Sequence, residues 1–210
     1  MLISRARFPV RSLGYGERAG LWTQGCGIGC AGCIAQDTWE RTTDSDVPVS
    51  EILAWLACYP QVDGLTISGG EPLDQAEELV ELLRGVRSMH SGLVDILCFS
   101  GRTTRAVERA FPEVLSLLDV IVTGPYDATK PSHHPLMGSA NQEIVLLTDL
   151  ARERYGAIET ADRRKLQVHL DGDVLTLVGV PAPGVINAIE ASASSAGLQL
   201  VDPTWGAGAR

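Results

Sequence analysis

Short apolar, β-rich runs alternate with helical patterns over residues 1–150, and that alternation restricts the fold more than any other feature of the sequence. The runs fall at residues 2–8, 21–24, 65–68, 94–100, 120–123 and 144–147. Between them, Leu79, Leu82, Leu83 and Val86 recur at i, i+3, i+4 and i+7, one apolar face of a helix over residues 74–87. Ser50 stands where it can cap a helix reaching Cys58, because its hydroxyl can accept from the unpaired amides of a first turn. A shorter helix is predicted over residues 103–110. Strand, helix, strand alternation predicts an α/β fold with a mainly parallel sheet, and such sheets build their active sites from the loops at the carboxyl ends of the strands.

With 210 residues, 45% of them hydrophobic and 20% charged, the chain can bury one sizeable core and carry a small appendage. The expected division is a core over residues 1–150 and an appendage over 151–210. The appendage opens on the charged stretch Arg152, Glu153, Arg154 and Tyr155. From Lys165 an alternating pattern follows, interrupted by Asp171-Gly172, a two-residue hairpin signal. A short helix near residues 184–195 and a strand at 198–201 complete it. A net charge of −9 argues against nucleic acid as a partner, since phosphate backbones call for clustered Lys and Arg. No apolar run approaches the roughly 20 residues of a membrane span, and the opening residues lack the apolar core of a signal peptide, so a cytoplasmic location without membrane contact is expected.

Five cysteines make a poor disulfide framework, and three of them, Cys26, Cys30 and Cys33, form a C-x3-C-x2-C pattern directly after a predicted strand. Thiolates are natural iron–sulfur ligands, and this spacing lets one glycine-rich loop wrap a single [4Fe–4S] cubane. The loop supplies three thiolates for four irons, which leaves one iron open to chelate the amino and carboxylate groups of a methionine moiety. Structural zinc is the competing reading, but it wants four protein ligands from paired motifs, and no second C-x-x-C or close histidine partner is present. Cys58 and Cys98 are the remaining candidates for a fourth ligand; one falls in a predicted helix and the other in an apolar strand, where cysteines are commonly plain core residues. An electron-carrying ferredoxin would also normally supply four cysteines.

The cysteine loop resembles the signature of the radical S-adenosylmethionine superfamily. More narrowly, the chain resembles the small activating enzymes of anaerobic ribonucleotide reductase and pyruvate formate-lyase. Beyond the cysteines, the resemblance rests on residues 13–20, on Ser-Gly-Gly-Glu-Pro-Leu at 68–73, on Cys-Phe-Ser-Gly at 98–101, on Asp-Val-Ile-Val-Thr-Gly-Pro-Tyr at 119–126 and on Gly-Ser-Ala-Asn-Gln at 138–142. It implies a partial, open β/α barrel of the radical S-adenosylmethionine type with the C-terminal hairpin and helix appended. It implies that Gly69, Gly70 and Glu71 line the methionine end of S-adenosylmethionine, with Glu71 accepting from the ammonium, and that Ser100 and Gly101 approach the ribose. Thr123, Gly124 and Asn141 would complete the cofactor or substrate side. Two positions depart from the family's usual pattern: Ile34 and Ala35 stand where an aromatic residue commonly follows the third cysteine, and Met137 where an arginine often precedes the glycine.

The activity this implies is reductive cleavage of S-adenosylmethionine, with an electron from a donor such as flavodoxin or ferredoxin, to a 5′-deoxyadenosyl radical that takes hydrogen from a substrate. A glycine Cα hydrogen in a glycyl-radical enzyme is the expected substrate. A peptide or small-molecule modification by the same chemistry is the runner-up, and a non-enzymatic electron carrier is the reading from a different class. His133 and His134 lie in a Pro-rich stretch that reads as a solvated loop, and Trp39, Glu40 and Arg41 read as packing and surface.

Overall fold

The computed structural model describes residues 1–89, 94–158 and 166–205. Its centre is a six-stranded sheet in sequential order: β1 (Ile3–Val10), β2 (Arg18–Thr23), β3 (Gly64–Gly69), β4 (Asp95–Phe99), β5 (Val120–Thr123) and β6 (Glu143–Leu146). The four inner strands run parallel, while β1 and β6 pair antiparallel at the two edges. Parallel neighbours need crossovers, and these are α1 (Val49–Ala57), α2 (Ala76–Met89) and the pair α3 (Thr104–Ala110) and α4 (Pro112–Leu117). The result is a mixed α/β sheet, mainly parallel and open between β1 and β6, not a closed barrel. Among the described residues no helix is long and apolar enough to cross a membrane.

The period of two along each strand decides which face receives the helices. Leu65, Ile67, Ile96, Cys98 and Ile121 point to one side and join Ile52 and Leu56 of α1, the predicted α2 stripe Leu79, Leu82, Leu83 and Val86, Val107 of α3 and Val114 of α4 in one buried cluster. Each fully buried leucine contributes roughly 1.5–3 kcal/mol, so this face carries most of the stability. Thr66, Leu97 and Val120 point the other way. There Leu97 and Val120 meet Leu136, Ala151 and Tyr155, the last two on α5 (Asp149–Tyr155). With all of α1 to α4 gathered on one face, the other is left free to line a cavity.

Several local details differ from expectation for identifiable reasons. Helix α1 starts two residues early: Pro48 is its N-cap, no side chain caps it, and Ser50 lies inside the first turn. Proline fixes the extended turn into the helix, and its carbonyl accepts from Ile52 N–H at 3.3 Å. Thr103 and Thr148 are the hydroxyls that do cap, accepting from Ala106 and Ala151. The charged stretch 152–155 is helical, because Ala151 and Tyr155 bury one face of α5 with Arg154 turned inward onto Asp95, while Arg152 and Glu153 are exposed. Cys58 is exposed at the end of α1, not a core cysteine; Cys98 is fully buried.

The appendage consists of the hairpin β7 (Gln167–Asp171) and β8 (Val174–Val178) and of α6 (Val185–Ser195). Asp171 pairs with Val174, so the turn is Gly172-Asp173, one position past the predicted pair, with Gly172 taking φ 56°. No strand forms at 198–201, where Leu198 and Val201 stay exposed. Lys165, the expected start of the alternating run, lies outside the described residues.

Candidate functional site

The cluster loop leaves β2 at Thr23 and turns back on itself through Gly25 N–H to Thr38 carbonyl at 2.8 Å and Cys26 N–H to Trp39 carbonyl at 3.0 Å. Cys26, Cys30 and Cys33 all line one cavity of about 280 Å³ at the carboxyl ends of the parallel strands. N–H groups reach two of the three sulfurs. Tyr126 N–H reaches Cys30, while Ala35 N–H at 3.4 Å and the Trp39 indole reach Cys33. Burial pushes the Cys30 and Cys33 thiols above their ordinary range, and the neighbouring cysteines add to the rise. A positively charged inorganic centre reverses that preference by stabilising the thiolates, so loading releases protons.

The end of β3 comes next. Gly69 adopts φ 102°, and a Cβ on Gly70 would fall 2.2 Å from the Gly25 carbonyl oxygen, so only glycine lets the two loops touch. Gly70 N–H then donates to Thr23 carbonyl at 2.8 Å and Glu71 N–H to Gly25 carbonyl at 2.9 Å, stapling the β3 loop against the cluster loop. Glu71 is 1% exposed, and its carboxylate accepts from Leu73 N–H at 3.0 Å, Ser100 Oγ at 2.9 Å and Gly101 N–H at 2.8 Å. Burial raises its affinity for a proton above the usual carboxylate range, and these three bonds work against the rise. The carboxylate thus ties the ends of β3 and β4 together.

Of the residues the sequence singled out, Cys26, Cys30, Cys33, Gly69, Gly70, Glu71, Ser100, Gly101 and Gly124 line this one cavity. Thr123 and Asn141 stand behind its wall. The Thr123 hydroxyl is shared with Thr104 at 2.6 Å, and Asn141 Nδ2 donates to Pro125 carbonyl at 2.8 Å, beneath the Tyr126 that does line the cavity. Ile34 and Ala35 also line it, whereas Met137, His133 and His134 do not.

Sequence reasoning missed several lining residues. Trp39, which reads from the sequence as packing and surface, lines the cavity and supplies a donor to the Cys33 thiol. Gln142 uses both ends of its amide: Oε1 accepts from Gly138 N–H at 2.8 Å and Nε2 donates to Gly124 carbonyl at 3.0 Å, which pins the Tyr126 loop. The appendage forms a wall through Leu177, Gly179, Pro181 and Thr204, and Thr204 Oγ1 donates to Ile34 carbonyl at 3.0 Å.

A loop of three cysteines, bonded through its sulfurs and facing the strand ends of a parallel sheet, defines a class of cluster-binding protein. The chain belongs to the 4Fe-4S single cluster domain family, whose model matches residues 12–145, and the resemblance to the radical S-adenosylmethionine superfamily holds. Among individual proteins it is similar to the pyruvate formate-lyase-activating enzyme of Staphylococcus aureus strain USA300, 33% identical over 140 residues, 63% of this chain and 55% of that protein. The counterpart in strain NCTC 8325 / PS 47 gives the same figures. The chain spans about half the length of the curated relatives it matches. QueE from Escherichia coli, as a crystal structure, aligns with a TM-score of 0.37 at 23% identity over 48% of this chain and 52% of that one.

The family implies a [4Fe–4S] cluster and S-adenosylmethionine, and the residues present fit them. The donor set is three cysteines on one loop with N–H groups directed at the sulfurs, as thiolate-ligated clusters require. Cys98 belongs to the helix-packed face and Cys58 is exposed on α1, so neither reaches the cavity as a fourth ligand. Among the described residues, no group of three His, Cys, Asp or Glu side chains is placed to hold a single metal ion.

Proposed function

We propose that this chain is a radical S-adenosylmethionine enzyme of the activating type, which takes a hydrogen atom from a glycine Cα of a partner glycyl-radical enzyme. The observation that carries this reading is the meeting of three loops in one cavity: the cysteine loop after β2, Gly69 to Glu71 after β3, and Ser100 with Gly101 after β4. The Staphylococcus aureus relatives are pyruvate formate-lyase-activating enzymes, which favours a glycine-bearing protein as the substrate. When bound, the cluster and S-adenosylmethionine supply one-electron cleavage of the sulfonium, with the electron drawn from a small donor such as flavodoxin or ferredoxin.

Within this reading the chain's own residues hold, orient and shield. Cys26, Cys30 and Cys33 grip the cluster at three irons. Gly69 and Gly70 offer close backbone approach to the methionine end, Glu71 fixes that loop against β4, and Ser100 with Gly101 stands toward the ribose. Ile34 and Ala35 give an aliphatic face for the base. Thr123 and Asn141 act from behind, keeping the Gly124 to Tyr126 turn in place. The sheet open between β1 and β6 is then the partial β/α barrel of the superfamily, with the hairpin appendage as a separate element closing one wall.

A second reading, modification of a peptide or small molecule, is favoured by that wall. Leu177, Gly179, Pro181 and Thr204 of the appendage wall the cavity, which leaves less room for an entering protein loop. Electron paramagnetic resonance decides between them. The reconstituted, reduced protein mixed with a glycyl-radical enzyme and S-adenosylmethionine is expected to give a glycine-centred doublet. No doublet with any such enzyme, despite turnover of the cofactor, overturns activation and leaves modification.

A further inference from the structure

We infer that Asp74 and Arg102 are positioning residues for the cluster: together they fix the backbone next to Cys26 and hold a balanced pair of charges beside it. The Asp74 carboxylate faces two ways. Oδ2 accepts from Gly27 N–H at 2.8 Å, the amide immediately after Cys26, and Oδ1 accepts from Arg102 Nη2 at 2.5 Å. Arg102 immediately follows Gly101, so one ion pair joins the cluster loop to the loop after β4.

Both partners are braced. Asp74 sits in the short 3₁₀ turn Pro72–Gln75, which the Glu71 carboxylate caps, and its own N–H donates to Glu71 carbonyl at 3.0 Å. The Arg102 carbonyl accepts from Gly124 N–H at 2.8 Å, and its guanidinium lies over the Phe111 ring at 5.4 Å. An ordinary surface ion pair is worth little, because solvent screens it and two long side chains must be ordered. Here the aspartate side chain is only 14% exposed, and its second oxygen is spent on the loop that carries the ligands. Charge-assisted bonds of that kind are about twice as strong as neutral ones. Removing the carboxylate frees the loop, whereas removing either charge alone leaves the other uncompensated near the cluster.

Opposite signs follow for the two charges. Without the negative charge of Asp74, the arginine favours the reduced, more negative cluster and its potential rises. Without Arg102, the aspartate disfavours added negative charge and the potential falls. A merely structural role does not move the potential in opposite directions.

The inference rests on assigning the cluster to Cys26, Cys30 and Cys33, and the experiment separates the two. Wild type, Asp74→Asn, Asp74→Ala, Arg102→Gln, Arg102→Lys and Cys30→Ala are reconstituted anaerobically. Iron content, iron loss to a chelator and reduction potential by spectroscopic titration are then measured. Asp74→Asn is expected to shift the potential up, Arg102→Gln down, and Arg102→Lys to restore it toward wild type. Asp74→Ala is expected to lose iron to the chelator about tenfold faster, the factor that corresponds to one lost bond to a charged group. Should Asp74→Ala fail to fold, the Asn and Gln variants carry the test. Potentials unchanged, or shifted the same way in both, overturn the positioning role. Wild-type iron in Cys30→Ala instead overturns the ligand assignment beneath it.

Discussion

At the amino ends of β2, β3 and β4, Arg18, Gly64 and Asp95 stand side by side in register; at the carboxyl ends of the same strands stand Thr23, Gly69 and the loop of Ser100. The first group is sealed. Arg18 and Asp95 are both fully buried and paired at 2.9 Å, and further donors turn onto the pair and its neighbours. Arg18 Nε donates to Thr66 at 2.6 Å, its Nη2 to Leu65 carbonyl at 2.7 Å, Arg154 to Asp95 at 2.6 Å, and the Tyr155 hydroxyl to Asp95 at 2.7 Å. Burial holds the Tyr155 hydroxyl above its usual range, as a donor. The second group is built the other way, from glycines, thiols and backbone amides around an open cavity. One end of the strands spends its polar groups on one another and locks α5 in place. The other end keeps thiols and loop backbone turned toward a guest. Charged residues at a strand end therefore say little about function until their partners are counted.

The largest expected effect breaks the sealed end. Asp95→Ala leaves the buried Arg18 guanidinium without its counter-ion, a loss of roughly 3–5 kcal/mol measurable by urea denaturation. If the variant unfolds at the wild-type midpoint, the ion pair is not the lock described. Next is Gly70→Ala at the open end, where the new methyl must displace the Gly25 carbonyl. A cost of about 1–3 kcal/mol is expected, together with reduced iron on reconstitution. Full iron loading in this variant would mean that the two loops do not need to touch. A smaller effect sharpens the role of the appendage: Val178→Ala thins the contact with Val10 and Leu13 and should cost about 1–2 kcal/mol. The smallest is a slope. Because burial raises the Glu71 pKa above its unfolded value, the folded state binds the extra proton, and stability of the cluster-free protein falls as pH rises from 4.5 through the raised value. Glu71→Gln should flatten that part of the profile, and an unchanged slope would remove Glu71 as its source.

Much of this contrast was legible in residue order. The α2 stripe and each inner strand follow from periodicity, since a face that must be buried writes itself into the pattern at 3.6 or 2 residues. The gathering of Cys26, Cys30 and Cys33 on one cavity was legible because thiolates at close spacing have few other uses. The sealed end was not: Arg18, Asp95 and Tyr155 are far apart in sequence, and it takes the register of β2, β3 and β4 and the packing of α5 on the sheet to bring them together. The same holds for Gln142, Thr204 and Trp39, whose roles depend on loop paths that no local pattern encodes. The turn at Gly172-Asp173 and the missing strand at 198–201 mark the other limit, where local propensity by itself did not decide the structure.

The central claim is that three thiolates hold a cluster which leaves one iron for S-adenosylmethionine. It is tested most directly by supplying dithionite and S-adenosylmethionine to the anaerobically reconstituted protein and to its Cys30→Ala variant, and measuring 5′-deoxyadenosine. Product from the wild type, with neither product nor cluster in the variant, is what the account predicts. A variant that keeps its iron and forms 5′-deoxyadenosine at the wild-type rate, or a fully loaded wild type that forms none, would contradict it.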